Sequence, residues 1–264
     1  MTKEIADASL LKSLLLMASV VEARDPYTGG HLWRVSQLSE LMARAVKLPV
    51  HSIAKVKVAA YLHDLGKVGI PDQILHKPDS LTQEEFSHIK THSKIGYNII
   101  KHHPIGHVIQ DILLHHHERL DGKGYPNGLV GKDINIETRI VSLCDAFDAM
   151  TSTRPYRKNM SIDRAMSLLN QEKNTQFDAR LVDELNRLSK TPELSHIVLH
   201  SGKNIPMVEC PKCGPIITIS RNHKSGQTVH CRNCTGAFKV HKKKEKITGK
   251  TTYQAEFTGN YGTA

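Results

Sequence analysis

Carboxylates and imidazoles recur where this chain otherwise repeats apolar side chains at helical spacing. The segment "VSLCDAFDAM" sets Asp145 in a largely apolar run, "YLHDLGK" ends another with His63 and Asp64, and "LLHHHERL" closes a third with three imidazoles. Taking an ionised aspartate out of water costs several kcal/mol unless its charge is matched. A fold for this chain must therefore supply partners to those groups. For Asp145 the partner is either a nearby Arg or Lys, in a salt bridge, or a metal ion.

The surrounding pattern is helical. Apolar spacing predicts helices over residues 10–24, 31–49 and 53–64, the first two bounded by Pro26 and Pro49. Thr82 and Glu85 form a capping-box pattern at the head of one long helix reaching about His103. Another helix follows Pro104-Ile105-Gly106 and ends at the triple histidine, and a further one covers 137–153. Ser161 and Asp178 cap the last two. Residues 119–134, with four glycines and Pro126, form an ordered loop. No alternating strand pattern competes up to residue 189, so residues 1–189 are expected to be one all-α domain with functional loops at its helix ends.

The longest apolar run, "LLKSLLLMASVV", contains Lys12 and is too short to span a membrane. With no cleavage-site pattern after it, a soluble, cytoplasmic protein without a membrane partner is expected. Its apolar stripe suits a homodimer contact or ordinary core packing equally well. Of the net charge of +10, about +8 falls in residues 190–264, which carry twelve Lys or Arg and four Asp or Glu. The basic pI therefore describes the end of the chain rather than its larger part.

Taken singly, each of the seventeen histidines is more often a surface or hydrogen-bonded side chain than a ligand. Taken together, several make a metal site the stronger reading. His31 stands at a helix start, His63 and Asp64 at a helix end, His92 inside a helix, His116 and His117 at a helix end, and Asp145 on an apolar helix. Mixed imidazole and carboxylate donors suit iron, manganese or zinc. An aspartate can bridge two ions, and Asp64 is the natural bridge because His63 fixes its position. Two ions about 3.5–4 Å apart hold a hydroxide at neutral pH and polarise a phosphoryl group. Lys67, one turn beyond Asp64, would offer its charge to a phosphate oxygen.

The series "HLWRV", "HDLGK", "THSKIGYNII", "HHERLDGKGYP" and "CDAFDAMTSTRPYR" closely resembles the HD-GYP domain, a branch of the HD phosphohydrolase superfamily, over roughly residues 10–188. The resemblance implies an HD-type helical bundle and a cyclic-di-GMP phosphodiesterase, a hydrolase of bacterial signalling giving pGpG and then GMP. It implies that His31, His63, Asp64 and Asp145 hold one divalent metal ion, and Asp64, His92, His116 and His117 a second. It assigns Lys67 to phosphate, makes Arg154 and Arg157 dinucleotide contacts, and places Gly124, Tyr125 and Pro126 along the border of the site. The expected mechanism is in-line attack by a metal-bridging hydroxide, with charge stabilised by the ions and Lys67, so that Asp64 and Lys67 are the catalytic pair. No residue of the sequence stands out as a separate general acid.

Some members of that family take a third metal through a glutamate where this chain has Tyr27, so two ions, iron or manganese, are expected. His115 falls outside the ligand pattern, and His76, His88, His102, His103 and His107 are expected at the surface. Glu118 is either a support for a ligand histidine or a helix-ending hydrogen-bond partner. Two other functions fit the motifs: hydrolysis of a mixed cyclic GMP-AMP dinucleotide, and a weakly active signalling adaptor.

Cys210, Cys213, Cys231 and Cys234 form a CxxC-x17-CxxC pattern, which reads as a zinc-ribbon-like β module over 209–240 holding one structural zinc. The bland alternative is that zinc simply lets a segment of about 35 residues fold. Residues 190–208 read as a linker, and 241–264 as a basic, poorly ordered tail. Arg221, Lys224, Arg232, Lys239, Lys242, Lys243 and Lys244 would suit RNA or DNA, but Phe238 is the ribbon's one stacking aromatic. A protein partner is the favoured expectation for this end.

Overall fold

The computed structural model describes residues 3–24, 30–77, 79–152, 160–198, 207–209, 216–218, 224–230, 236–244 and 251–257. The chain divides into two units, Met1–Val198 and Leu199–Ala264.

The first unit is helical. Helix α1 (Lys3–Arg24) turns Leu14, Ala18 and Val21 inward, while Leu16, Met17 and Val20 face outward. Helices α2 (His31–Ala45) and α3 (Val50–Leu62) lie at the centre, and Ala59 and Ala60 let α3 approach its neighbours closely. A 3₁₀ turn (Leu65–Gly69) and the short α4 (Asp72–Leu75) follow. Next come α5 (Gln83–Lys90), α6 (His92–Ile100) and α7 (Gly106–His115). Beyond the long loop stand α8 (Ile136–Thr151), α9 (Ile162–Gln171) and α10 (Ala179–Leu188). Val35, Leu38 and Met42 of α2 meet Ile140, Leu143 and Phe147 of α8 in one core. No described helix is long and apolar enough to cross a membrane.

Several expectations are met locally. Thr82 and Glu85 form the reciprocal capping box, and Ser161 and Asp178 accept from Arg164 and Arg180 backbone N–H groups. Three are corrected. The single helix expected from Thr82 to His103 is two, α5 and α6. The Thr91 N–H turns back to the His88 carbonyl at 3.0 Å, closing α5 with a tight last turn. His92 then opens a helix whose direction is set by packing on the Leu65–Gly69 turn.

The expected 190–208 linker begins with α11 (Pro192–Val198), which packs on α2 and buries Leu194 and Ile197. Within the stretch expected as a basic, poorly ordered tail, residues 241–244 and 251–257 lie on strands. In the second unit β4 (Ala237–Lys244) pairs antiparallel with β3 (Gln227–His230) and β5 (Thr251–Phe257), so the lysine run lies on a strand. Strand β1 (Met207–Glu209) pairs antiparallel with β2 (Ile216–Thr218). Along β4, Phe238 and Val240 are buried while Lys239 between them is exposed, the period-two pattern of a half-buried strand. Phe238 is therefore core and offers no face to a base. The four ribbon cysteines lie outside the described residues.

Because α11 closes the apolar face of α2, Leu194→Ala is expected to destabilise the helical unit by about 2–5 kcal/mol in urea denaturation.

Candidate metal centre

Each candidate donor is set by the end or inner face of a helix. His31 opens α2 directly after Gly30, whose φ of 78° is readily available only to glycine. His63 and Asp64 follow the last turn of α3, His92 opens α6, and His116 and His117 follow α7. Asp145 and Asp148 share one face of α8, three residues apart.

The histidines are oriented by the backbone. Nδ1–H of His63 donates to the Ala60 carbonyl at 2.7 Å, that of His92 to Ile89 at 2.7 Å, and that of His116 to Leu113 at 2.9 Å. In each case the acceptor is three residues back in the preceding turn. A neutral ring that donates through Nδ1 presents a bare lone pair at Nε2. Those lone pairs converge. Nε2 of His92 lies 3.2 Å from Nε2 of His116, and Nε2 of His31 lies 3.4 Å from that of His63. Two donors about 2.1 Å from one ion are separated by roughly 3.0–3.4 Å, so these spacings fit shared coordination.

Asp64 stands between the two groups. Its Oδ2 is 3.6 Å from His31 Nε2 and 3.5 Å from His63 Nε2, while its Oδ1 is 3.6 Å from His92 Nε2. Asp145 Oδ1 approaches the first group, 3.3 Å from His31 and 3.7 Å from His63. Two donor clusters result: His31, His63 and Asp64, and His92, His116 and His117. Lys67 Nζ lies 2.7 Å from Asp64 Oδ2. These are the seven sequence-expected donors and the expected lysine, gathered in one place.

The electrostatics suit a cation. Burial pushes His116 well below the usual imidazole range and lowers His92, and it lowers His117 to about 3. Burial opposes ionisation of Asp64, but Lys67 and the surrounding histidines hold its carboxyl well below the usual range. Asp145 is likewise held low by His31 and His63 against burial. Burial also opposes a charge on His31, yet Asp145, Asp148 and Asp64 raise it well above the ordinary value. A bound cation would take the place of that proton. The nearby Cys144 is fully buried, its thiol pushed up to about 12, which makes it a poor ligand or nucleophile.

Several functional supports escape a reading by residue type. Asp148 accepts from His31 Nδ1 at 2.8 Å and is clamped by Arg34 through Nε at 2.6 Å and Nη2 at 3.0 Å. It orients His31 while Arg34 carries the compensating charge. Its one sequence signal is its position three residues after Asp145. Gly66 matters through contact: a Cβ there would strike the His92 carbonyl and the Gly96 backbone nitrogen. Only glycine lets α6 bring His92 against the turn that carries Lys67.

Glu118 takes neither role expected of it. Its carboxylate accepts the backbone N–H groups of Asn127 at 2.7 Å, Gly128 at 3.1 Å and Leu129 at 3.0 Å, and so holds the long loop. His115 serves the same loop, with Asn127 Nδ2 donating to its Nε2 at 2.9 Å. A Cβ on Gly124 would collide with the backbone of Glu118 and Arg119. That close approach lays the Tyr125 ring on His117, centres 4.8 Å apart and planes 29° apart. His103 is half-buried rather than at the surface, with Nδ1 accepting from the Ile105 N–H at 3.3 Å. Arg154, Arg157, Tyr27 and the four cysteines lie outside the described residues. A separate cavity of about 440 Å³, rimmed by Lys132, Arg139 and Arg180, is lined by none of these donors.

Comparison with known proteins identifies the family. A family profile described as HD domain matches residues 16–181. The chain is 40% identical over 178 residues to a cyclic di-GMP phosphodiesterase response regulator of Xanthomonas campestris, covering 67% of this chain and 47% of that protein. It is 35% identical over 172 residues to a 3'3'-cGAMP-specific phosphodiesterase of Vibrio cholerae, covering 65% and 37%. The chain thus spans less than half the length of either relative. Among solved structures, a cyclic GMP-AMP specific phosphodiesterase of V. cholerae shares the fold, with a TM-score of 0.53 and 17% identity over 70% of this chain and 50% of that one.

Two outcomes follow for the isolated site. Asp148→Asn is expected to weaken divalent metal binding by about 10–100-fold in a chelator competition, because His31 loses its anionic orienting partner. In metal-stripped protein, stability is expected to fall as pH drops from about 7 to about 5. Unfolded His92, His116 and His117 take up protons near their ordinary value, whereas the folded forms resist. His31 acts in the opposite sense, but one group opposes three. Urea midpoints at the two pH values check the sign.

Proposed function

The chain belongs to the HD domain family, and from that premise we propose that its helical unit is a metal-dependent phosphodiesterase acting on cyclic di-GMP, releasing pGpG and then GMP. The observation that carries the proposal is Asp64: one carboxylate turns Oδ2 to His31 and His63 and Oδ1 to His92. That arrangement supports two divalent ions sharing one aspartate. His31, His63, Asp64 and Asp145 would hold the first, and Asp64, His92, His116 and His117 the second. Mixed nitrogen and oxygen donors favour iron or manganese. Bound ions of this kind acidify water and polarise a phosphoryl group.

The chain's own residues define the rest. Backbone-anchored imidazoles and the Arg34–Asp148 clamp fix the donors without reorganisation. Lys67 places a positive charge beside Asp64 where a phosphate oxygen would bear growing negative charge. The Glu118-held loop sets Tyr125 against His117 and walls one side. Arg154 and Arg157 are proposed as further contacts to the dinucleotide. Relatives named for cyclic di-GMP and for 3'3'-cGAMP match the chain to similar extents, so the mixed dinucleotide is the rival substrate.

Each CxxC pair falls in sequence between two paired strands, Cys210 and Cys213 between β1 and β2, Cys231 and Cys234 between β3 and β4. This supports a structural zinc held by four thiolates, with the module serving a protein partner.

Anaerobically purified protein is expected to carry two iron or manganese ions and one zinc; three ions in the helical unit would overturn the two-ion reading. Loaded wild type should hydrolyse cyclic di-GMP, followed by chromatography beside cyclic GMP-AMP. Asp64→Ala should fall below about one hundredth of that rate, because losing a ligand exceeds the roughly 10–100-fold effect of losing a supporting partner. No turnover of either dinucleotide by the loaded wild type would sink the enzyme reading.

A further inference from the structure

Helix α5 carries two side chains that the metal chemistry leaves unused. Phe86 is a large apolar residue left 42% exposed. Lys90, one turn later, holds Nζ 4.7 Å from the centre of the Phe86 ring and 5.6 Å from that of Tyr125. Tyr125 in turn stacks on His117. An unbroken series of contacts thus runs from a proposed metal ligand through Tyr125 and Lys90 to an exposed aromatic ring.

Lys90 is half-buried, and among the described residues its contacts are with rings and not with a carboxylate. Aromatic faces attract an ammonium but accept no strong hydrogen bond, so its donors remain available. An exposed ring beside an available cation matches a nucleobase. The base can stack on the aromatic, and the ammonium can donate to acceptors on the base edge. The match is selective. Guanine presents two adjacent acceptors, O6 and N7, whereas adenine sets an N6 amino donor beside N7.

We infer that Phe86 and Lys90, backed by Tyr125, form a guanine subsite beside the metal centre, with Phe86 stacking the base and Lys90 donating to O6 and N7. The inference rests on the cyclic dinucleotide reading and deepens it, because it makes α5 the part of the site that prefers guanine over adenine.

The test uses the metal-loaded 264-residue chain and three substrates: cyclic di-GMP, cyclic di-AMP and the abasic cyclic bis(ribose phosphate), a phosphodiester with no base and no ring that can stack. Phe86→Ala and Lys90→Met are each expected to lower the ratio of kcat/KM on cyclic di-GMP to that on the baseless diester by about tenfold or more, mainly through KM. Lys90→Met should also narrow the preference for cyclic di-GMP over cyclic di-AMP, and Phe86→Trp should restore the stacking loss. Equal losses on the dinucleotide and the baseless diester would overturn the subsite and make the pair a support for Tyr125 and His117. An active wild type whose variants keep the wild-type ratio would overturn it too. A wild type that cleaves the baseless diester but no cyclic dinucleotide would instead overturn the functional reading beneath it. Metal content equal to wild type separates all of these from misfolding.

Discussion

The charge on Asp64 is the constraint from which the rest of the helical unit follows. The residue is only 5% exposed, and a lone buried carboxylate would be protonated or would destabilise the fold. Here it is surrounded by His31, His63, His92 and Lys67, contributed by the start of α2, the end of α3, the start of α6 and the turn between. The packing of α2 on α3 and α8, and of α6 on the Leu65–Gly69 turn, is thus also the geometry of the site. Small residues make it feasible: Ala59 and Ala60 within α3, and Gly66 against α6.

Packing alone would not aim the rings. Three imidazoles spend Nδ1 on a carbonyl of their own preceding turn, and His31 spends it on Asp148. The direction of each of these four Nε2 atoms is fixed before anything binds. Bare lone pairs 3.2 Å apart, as in His92 and His116, are mutually unfavourable without a cation. The arrangement holds because the helices that carry the rings are secured elsewhere by a continuous apolar core. It is a preorganised donor set whose repulsion is relieved by the group it accommodates.

How much of this can be seen in the sequence depends on whether a residue's chemistry or its neighbours carry the role. The donors are legible because imidazoles and carboxylates are out of place on apolar helices. Asp148 is not, because an acid three residues from Asp145 looks like more of the same until Arg34 is seen to clamp it. Gly66 acts through the backbone of another helix, which no local pattern reveals. Glu118 reads equally as a support for a ligand histidine or as a helix-ending partner, yet its oxygens go to three amides nine to eleven residues away. The break at Thr91 and the helix at Pro192–Val198 are tertiary effects on sequences that permit either outcome. The lysines of β4 resemble a solvated tail because a run of like charges carries no alternating apolar pattern, and the strand is set by its pairing with β5.

The same distribution of charge separates what each part of the site can attract. In the interior, carboxylates outnumber fixed cations, and Arg34 is already engaged by Asp148. Burial keeps His92, His116 and His117 neutral, so they add donors without adding positive charge. The interior therefore favours divalent cations. Lys67 lies beside Asp64, and Lys90 lies near the ring that stacks on His117. Both ammonium groups are only partly buried. Cations placed there raise the potential where an anionic diester would meet the donors, while the phosphate groups would screen them from the ions within. An acid at position 90 would leave the donors intact and yet repel an anionic diester, whereas one at position 67 would also take from Asp64 its ion-pair partner. Metal binding and substrate binding thus make opposite electrostatic demands, which the helical unit can meet because their residues lie at different depths.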